Sequence, residues 1–108
     1  MIHVVATIEL ADGQRDAFLE HFHRLVPLVH EEQGCIEYGP TIDLATEIGA
    51  QGPARDNVVT VMEKWESLEA LEAHLVAPHM VEYRGHVQEL VKQTLIQVLS
   101  PVDPPNHA

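Results

Sequence analysis

In the opening stretch MIHVVATIEL, Ile2, Val4, Ala6, Ile8 and Leu10 fall on one side of an extended backbone, the period of two that marks a strand. After the turn residues ADGQ the period changes. Phe18, Phe22, Leu25 and Val29, joined by Leu28, recur at helical spacing. Asp12 stands where it can cap this helix, Pro27 where it bends the late turns, and Gly34 where it stops them. CIEYGPTIDL reads as a second strand with Ile36, Tyr38, Ile42 and Leu44 on one parity, and Gly39-Pro40 marks it as an edge or a bulge. ATEIGAQGPARDN carries turn formers without a period and predicts a mobile hairpin connection. NVVTVMEKW, rich in β-branched residues, predicts a third strand. Ser67, with Glu69 and Glu72, opens a helix through Leu68, Leu71 and Leu75. Pro78 ends that helix and starts another, faced by Met80, Tyr83, Val87, Leu90 and Val91. TLIQVLSPV closes the pattern as a last strand, and DPPNHA is a polar tail.

The order β-α-β-β-α-α-β predicts an α+β domain of the ferredoxin-like, split β-α-β kind, with helices on one face of an antiparallel sheet. Residues 1–102 form that single domain and 103–108 the tail. The opposite strand parity is not plainly polar: Val5 with Thr7, and Val59 with Val61 and Trp65, are expected to point away from their neighbours. A second apolar face needs cover, and in so short a chain a second copy supplies it, which predicts a homodimer with sheets face to face.

Charge narrows the partners. The 17 acidic residues against six basic ones give a formal charge of −11, which repels polyanions and argues against nucleic acid and acidic membrane surfaces. A single cysteine, Cys35, allows no internal disulfide and suits a reducing compartment. A free cysteine at such a position is more often a small buried residue than a nucleophile. The first residues lack the basic and apolar regions of a signal peptide, and no stretch approaches a membrane span, so a cytoplasmic location is expected.

The segment EKWESLEALEAHLVAPHMVEY resembles the central signature of the antibiotic biosynthesis monooxygenase family of dimeric α+β barrels. LVPLVHEEQGCIEY is similar to the end of that family's first helix and its second strand, and IQVLSP to its last strand. The likeness covers nearly the whole chain and is nearest to the bacterial quinol monooxygenase branch. It implies a homodimer that oxygenates a small aromatic substrate with dioxygen, without flavin, haem or metal. In such chemistry a quinol or polyphenol, once deprotonated, itself supplies the electrons. The protein binds an apolar ring, removes a phenolic proton and holds the anion in a dry pocket. The family also holds haem-degrading enzymes. Here His74 stands where their late-helix tryptophan would lie and Arg84 near their haem ligand, so the resemblance does not extend to haem.

Within that frame His74 and His79 are the catalytic candidates. Five apart with Pro78 between them, they lack the four-residue spacing of zinc ligands on one helix, and no metal is expected. The bland alternative is a pair of boundary histidines at the margin of an apolar stripe. Tyr83 and His86 share a side with His79 and join Trp65, Tyr38 and Asn57 as candidates for substrate binding. Each has an ordinary alternative: a core anchor for Trp65, buried hydroxyls with a partner for the tyrosines, a turn residue for Asn57. Glu63 and Glu66 flank Trp65 and suit acid–base work or a strand-to-helix junction equally well. Two other functions stay open, an isomerase or lyase of a small oxygenated metabolite using the same histidines, and a non-catalytic small-molecule-binding dimer. The loop from Ala45 to Asp56 is expected to reach the pocket mouth.

Overall fold

The computed structural model describes residues 1–103; the expected tail lies outside the described residues apart from Asp103. Strand β1 (Ile2–Leu10) leads into helix α1 (Arg15–His30), followed by β2 (Cys35–Thr41), β3 (Val58–Trp65), α2 (Leu68–Leu75), α3 (Pro78–Val87) and β4 (Val91–Leu99). The four strands form one antiparallel sheet in the order β2-β3-β1-β4, the ferredoxin-like α+β arrangement. One side of it carries the helices. Val4, Ala6, Ile8 and Leu10 meet Phe18, Phe22, Leu25 and Val29 of α1 in the core, as the two periods require.

Register corrects the expectation about the second face. Ile8 pairs with Val59, Ala6 with Val61 and Ile2 with Trp65, so the inward residues of β3 share the helix-covered side of β1. Val59, Val61 and Trp65 are therefore buried core and not part of a second surface. The far face holds Val5, Thr7, Met62, Leu95 and Leu99 instead. An extra residue at Ile36 shifts the β2–β3 register, and Ile36 is exposed while Tyr38 is buried. Ile42 and Leu44 lie beyond the strand, also exposed, so the single parity expected for β2 does not hold.

Several local expectations also change. Gln14, not Asp12, occupies the N-cap of α1; Asp12 accepts from Asn57 Nδ2 at 3.1 Å, which leaves it committed to the turn. The helix runs through Pro27 to His30, and Leu28 faces out. Gly34 lies beyond the helix end, in the turn that starts β2, at φ +87°. Val91 begins β4 rather than extending the last helix. By contrast, Ser67 caps α2 by accepting from the Ala70 amide at 3.1 Å, and Pro78 stands in the first turn of α3 as expected. Between β2 and β3 the connection is tied at its base by Arg55, which donates to both carboxylate oxygens of Asp43 at 2.7 and 3.0 Å.

Candidate active site

Helices α2 and α3 leave a cavity of about 400 Å³ above the inner side of β1, β3 and β4. Its walls are mostly aliphatic and aromatic, including Ile8, Phe22, Val61, Met80, Val87 and Ile96. Among these stand Tyr38, Glu63, His74, Tyr83 and Arg84. No residue of the Ala45–Asp56 loop borders it, so the expected cover of the mouth is absent.

His74 is 1% exposed, near the end of α2. Its Nδ1 faces both oxygens of Glu32 at 3.1 and 2.9 Å. Glu32 also receives His79 Nε2 at 2.7 Å. A carboxylate oxygen accepts, so each of these ring nitrogens carries its hydrogen, and neutral His74 keeps its lone pair on Nε2. Among the described residues no group bonds that Nε2. Burial holds His74 below its ordinary pKa, even though the Glu32 hydrogen bond and charge pull the other way. A neutral imidazole with a fixed tautomer is the form that takes up a proton.

Glu63 is the second buried ionisable group, 8% exposed and opposite Tyr38 across the β2–β3 pair. Its Oε1 accepts from Trp65 Nε1 at 2.9 Å. Burial pushes this carboxyl up to about 7; the Trp65 hydrogen bond restrains the rise and the charge of Glu32 adds to it. Tyr38 and Tyr83 are raised well above the usual phenol range, chiefly by burial, and stay protonated as hydrogen-bond donors. Trp65 is fully buried behind this group, its ring 4.6 Å from His74 and 6.5 Å from Tyr38. It fixes the neighbours that line the cavity and is not itself a wall.

The sequence candidates thus divide. His74, Tyr38 and Tyr83 line one cavity, with Trp65 supporting them. His79 and His86 instead border a smaller cleft of about 210 Å³ between α1 and α3, together with His21 and Arg24. His79 reaches the main site only through Glu32. Asn57 lines neither: its Oδ1 accepts from the Gly13 amide at 3.1 Å and its amide donates to Asp12, so it ties the β1–α1 turn to β3. Of the two carboxylates in this group, Glu63 stood open between acid–base work and a strand-to-helix junction, and Glu32 was no candidate. Glu63 had a signal, since it shares parity with Val59, Val61 and Trp65, and a carboxylate at an inward strand position needs a reason. Glu32 had none, because EEQG reads equally well as a solvated helix end.

A ferredoxin-like sheet with helices on one side and an aromatic-lined acid–base cavity beneath them defines a class of small α+β proteins. The chain belongs to the antibiotic biosynthesis monooxygenase family, whose model matches residues 1–86. It is 41% identical over 103 residues to a protein of Escherichia coli K12 described as "Probable quinol monooxygenase YgiN", covering 94% of this chain and 98% of that one. Among solved structures, PA3566 from Pseudomonas aeruginosa superposes with a TM-score of 0.78 at 22% identity, over 94% of each chain. A conserved protein from Methanosarcina mazei Go1 gives 0.74 at 26% identity, over 90% of this chain and 88% of that one. The relationship to the P. aeruginosa protein speaks to fold alone; the family and the E. coli relative support a monooxygenase.

Proposed function

We propose that the protein is a cofactor-independent monooxygenase of a quinol or related polyphenol, working as a homodimer. The observation that carries this reading is a buried histidine, locked by a carboxylate, at the wall of an apolar cavity of ring-accepting size. The name of the E. coli relative adds support for a quinol.

In this reading His74 Nε2 removes a hydroxyl proton from the bound quinol. Glu32 keeps the ring in the productive tautomer and favours the imidazolium that forms, and His79 steadies Glu32 from the other side. Tyr38 and Tyr83 donate towards the developing phenolate oxygen. The anion is electron-rich enough to reduce dioxygen. Oxygen then adds to the ring carbon beside the deprotonated oxygen, and loss of water from the peroxide leaves a hydroxyquinone. Overall, one quinol and one dioxygen give one hydroxyquinone and one water, so every electron comes from the substrate. The homodimer rests on the far sheet face, where Met62, Leu95 and Leu99 are exposed beside Val5.

Oxygen uptake with a panel of hydroquinones, read against the enzyme-free autoxidation rate, tests the reaction, and one ¹⁸O atom from ¹⁸O₂ is expected in the product. Uptake no faster than autoxidation would count decisively against it. The same acid–base groups would serve an isomerase, and turnover of an oxygenated metabolite under argon would favour that function instead.

A further inference from the structure

Resting on the reading just given, we propose that Glu63 is a second catalytic residue, the general acid that protonates the oxygen leaving as water from the ring peroxide. The chemistry calls for such a group. Once the peroxide oxygen has taken the proton held by His74, water is lost by breaking two bonds together. The ring C–H proton passes to the His74 lone pair, its electron pair forms the new C=O, and the O–O bond breaks towards the outer oxygen. That outer oxygen leaves as hydroxide unless an acid meets it. The ring carbon is oxidised, the peroxide is reduced, and His74 and Glu63 end one proton up and one proton down, which a transfer between them resets.

Only a few groups can act as that acid. His74 is occupied as base in this step. Tyr38 and Tyr83 are phenols held far above neutrality by burial, poor acids for a departing hydroxide. Arg84 borders the cavity but keeps its proton. Glu63 is left. It lies on the inner face of β3, lines the same cavity as His74, and has one oxygen anchored by Trp65 Nε1 at 2.9 Å. Among the described residues no group bonds its Oε2, so the free end of the carboxyl is available to the cavity. A carboxyl raised to about 7 keeps a proton to give at neutral pH. The charged or titratable groups around it are Glu32, Cys35, His74, Tyr38, Tyr83 and Arg84, and of these Glu32 favours the protonated form.

Without the acid, the peroxide has another exit: it expels hydroperoxide, giving quinone and hydrogen peroxide from the same quinol and oxygen. The test is therefore a product ratio. With a quinol that the wild-type protein hydroxylates, hydroxyquinone formed per oxygen consumed should fall at least tenfold in Glu63→Gln, with hydrogen peroxide making up the difference. Glu63→Asp should recover part of the ratio. A merely structural role would slow uptake without diverting the product. An unchanged ratio in Glu63→Gln overturns the proposal. So does complete loss of oxygen uptake in the folded variant, since the step assigned to Glu63 follows oxygen addition. Should the variant fail to fold, the wild-type ratio measured from pH 6 to 8.5, corrected for autoxidation, decides instead. It must shift towards peroxide as pH rises, and a flat profile overturns the assignment. If the wild-type protein makes no hydroxyquinone from any quinol, the parent reading fails and this one falls with it.

Discussion

His74 and Glu32 stand 42 positions apart in the sequence, yet the imidazole Nδ1 and the carboxylate meet at 2.9 Å. The turn after α1 and the last turn of α2 must both be in place for that contact to exist. The fold therefore makes the pair; neither helix could do so alone.

Replacing Glu32 with Gln tests the pairing through pH. The Glu32 hydrogen bond and charge now raise the His74 pKa against the lowering effect of burial. With the charge gone, burial acts with less opposition and the pKa drops further. The acid limb of kcat/KM should move to lower pH, while the maximal rate falls because a weaker base removes the proton. His74→Ala, by contrast, should lose about 10²–10⁴-fold in kcat at every pH, the usual contribution of a positioned base. An unmoved acid limb in Glu32→Gln would mean that His74 is not the titrating base.

Glu63 and His74 also write opposite signatures into stability. The Glu63 carboxyl is raised from 4.5 to about 7 on folding, so the folded state binds more protons between those values. Stability is favoured below 4.5 and declines as pH rises to about 7, a loss of about 3 kcal/mol if the whole shift is expressed. For His74 the folded pKa is lowered, so its contribution is present above 6.5 and is lost as pH falls below that value. Glu63→Gln keeps a side chain that can accept from Trp65 but cannot ionise. Its Tm should exceed that of the wild type by at least about 5 °C at pH 8 and match it near pH 4.5. Equal melting curves at pH 8 would show that Glu63 is not held in the environment described.

Gly34 couples the turn to the site. At φ +87° it occupies a conformation that other residues resist, and a Cβ there would lie 2.6 Å from the Ala70 side chain of α2. Its carbonyl also accepts from the Glu66 amide at 2.8 Å, which pins the start of α2 to the turn carrying Glu32. Gly34→Ala should therefore cost about 2 kcal/mol or more in urea unfolding and, in the surviving folded fraction, lower kcat by displacing Glu32 from His74. Full activity per folded molecule would separate the turn from the site.

The sequence carried the framework further than the chemistry. Strands and amphipathic helices are local periods, and β1, α1, α2 and α3 announced themselves through Val4, Phe22, Leu71 and Met80. Capping by Ser67 and the break at Pro78 are local too. What failed was relational. Parity says that Val59 and Val61 share a face, but only the β1–β3 register says which face it is. One bulged residue, Ile36, reverses the parity of the strand that carries Tyr38. The site suffers the same limit more sharply: His74 was visible as a residue, whereas its meaning lies in Glu32, read from sequence as a helix terminus. His79 and His86 shared a helical side as their spacing required, but that side opens on a different cleft.

The last expectation concerns the partner. Strand β4 is an edge strand exposed along nearly its whole length, with Leu95 60% exposed on the far face and Leu99 two steps of alternation away on the same side. Such a strand invites aggregation unless it is covered. Its neighbours across that face, Val5 and Met62, extend the apolar area over three strands. A second copy packed sheet to sheet would cover all of them symmetrically, each protomer offering the same residues. Sedimentation velocity at micromolar concentration should give twice the chain mass. Leu95→Asp, which puts a charge among the exposed apolar side chains of that face, should give the monomer, with a lower Tm because the dimer's contribution is lost. A wild-type protein that sediments as a monomer at these concentrations would leave the far face without its proposed cover. A Leu95→Asp variant that stays dimeric would move the interface elsewhere.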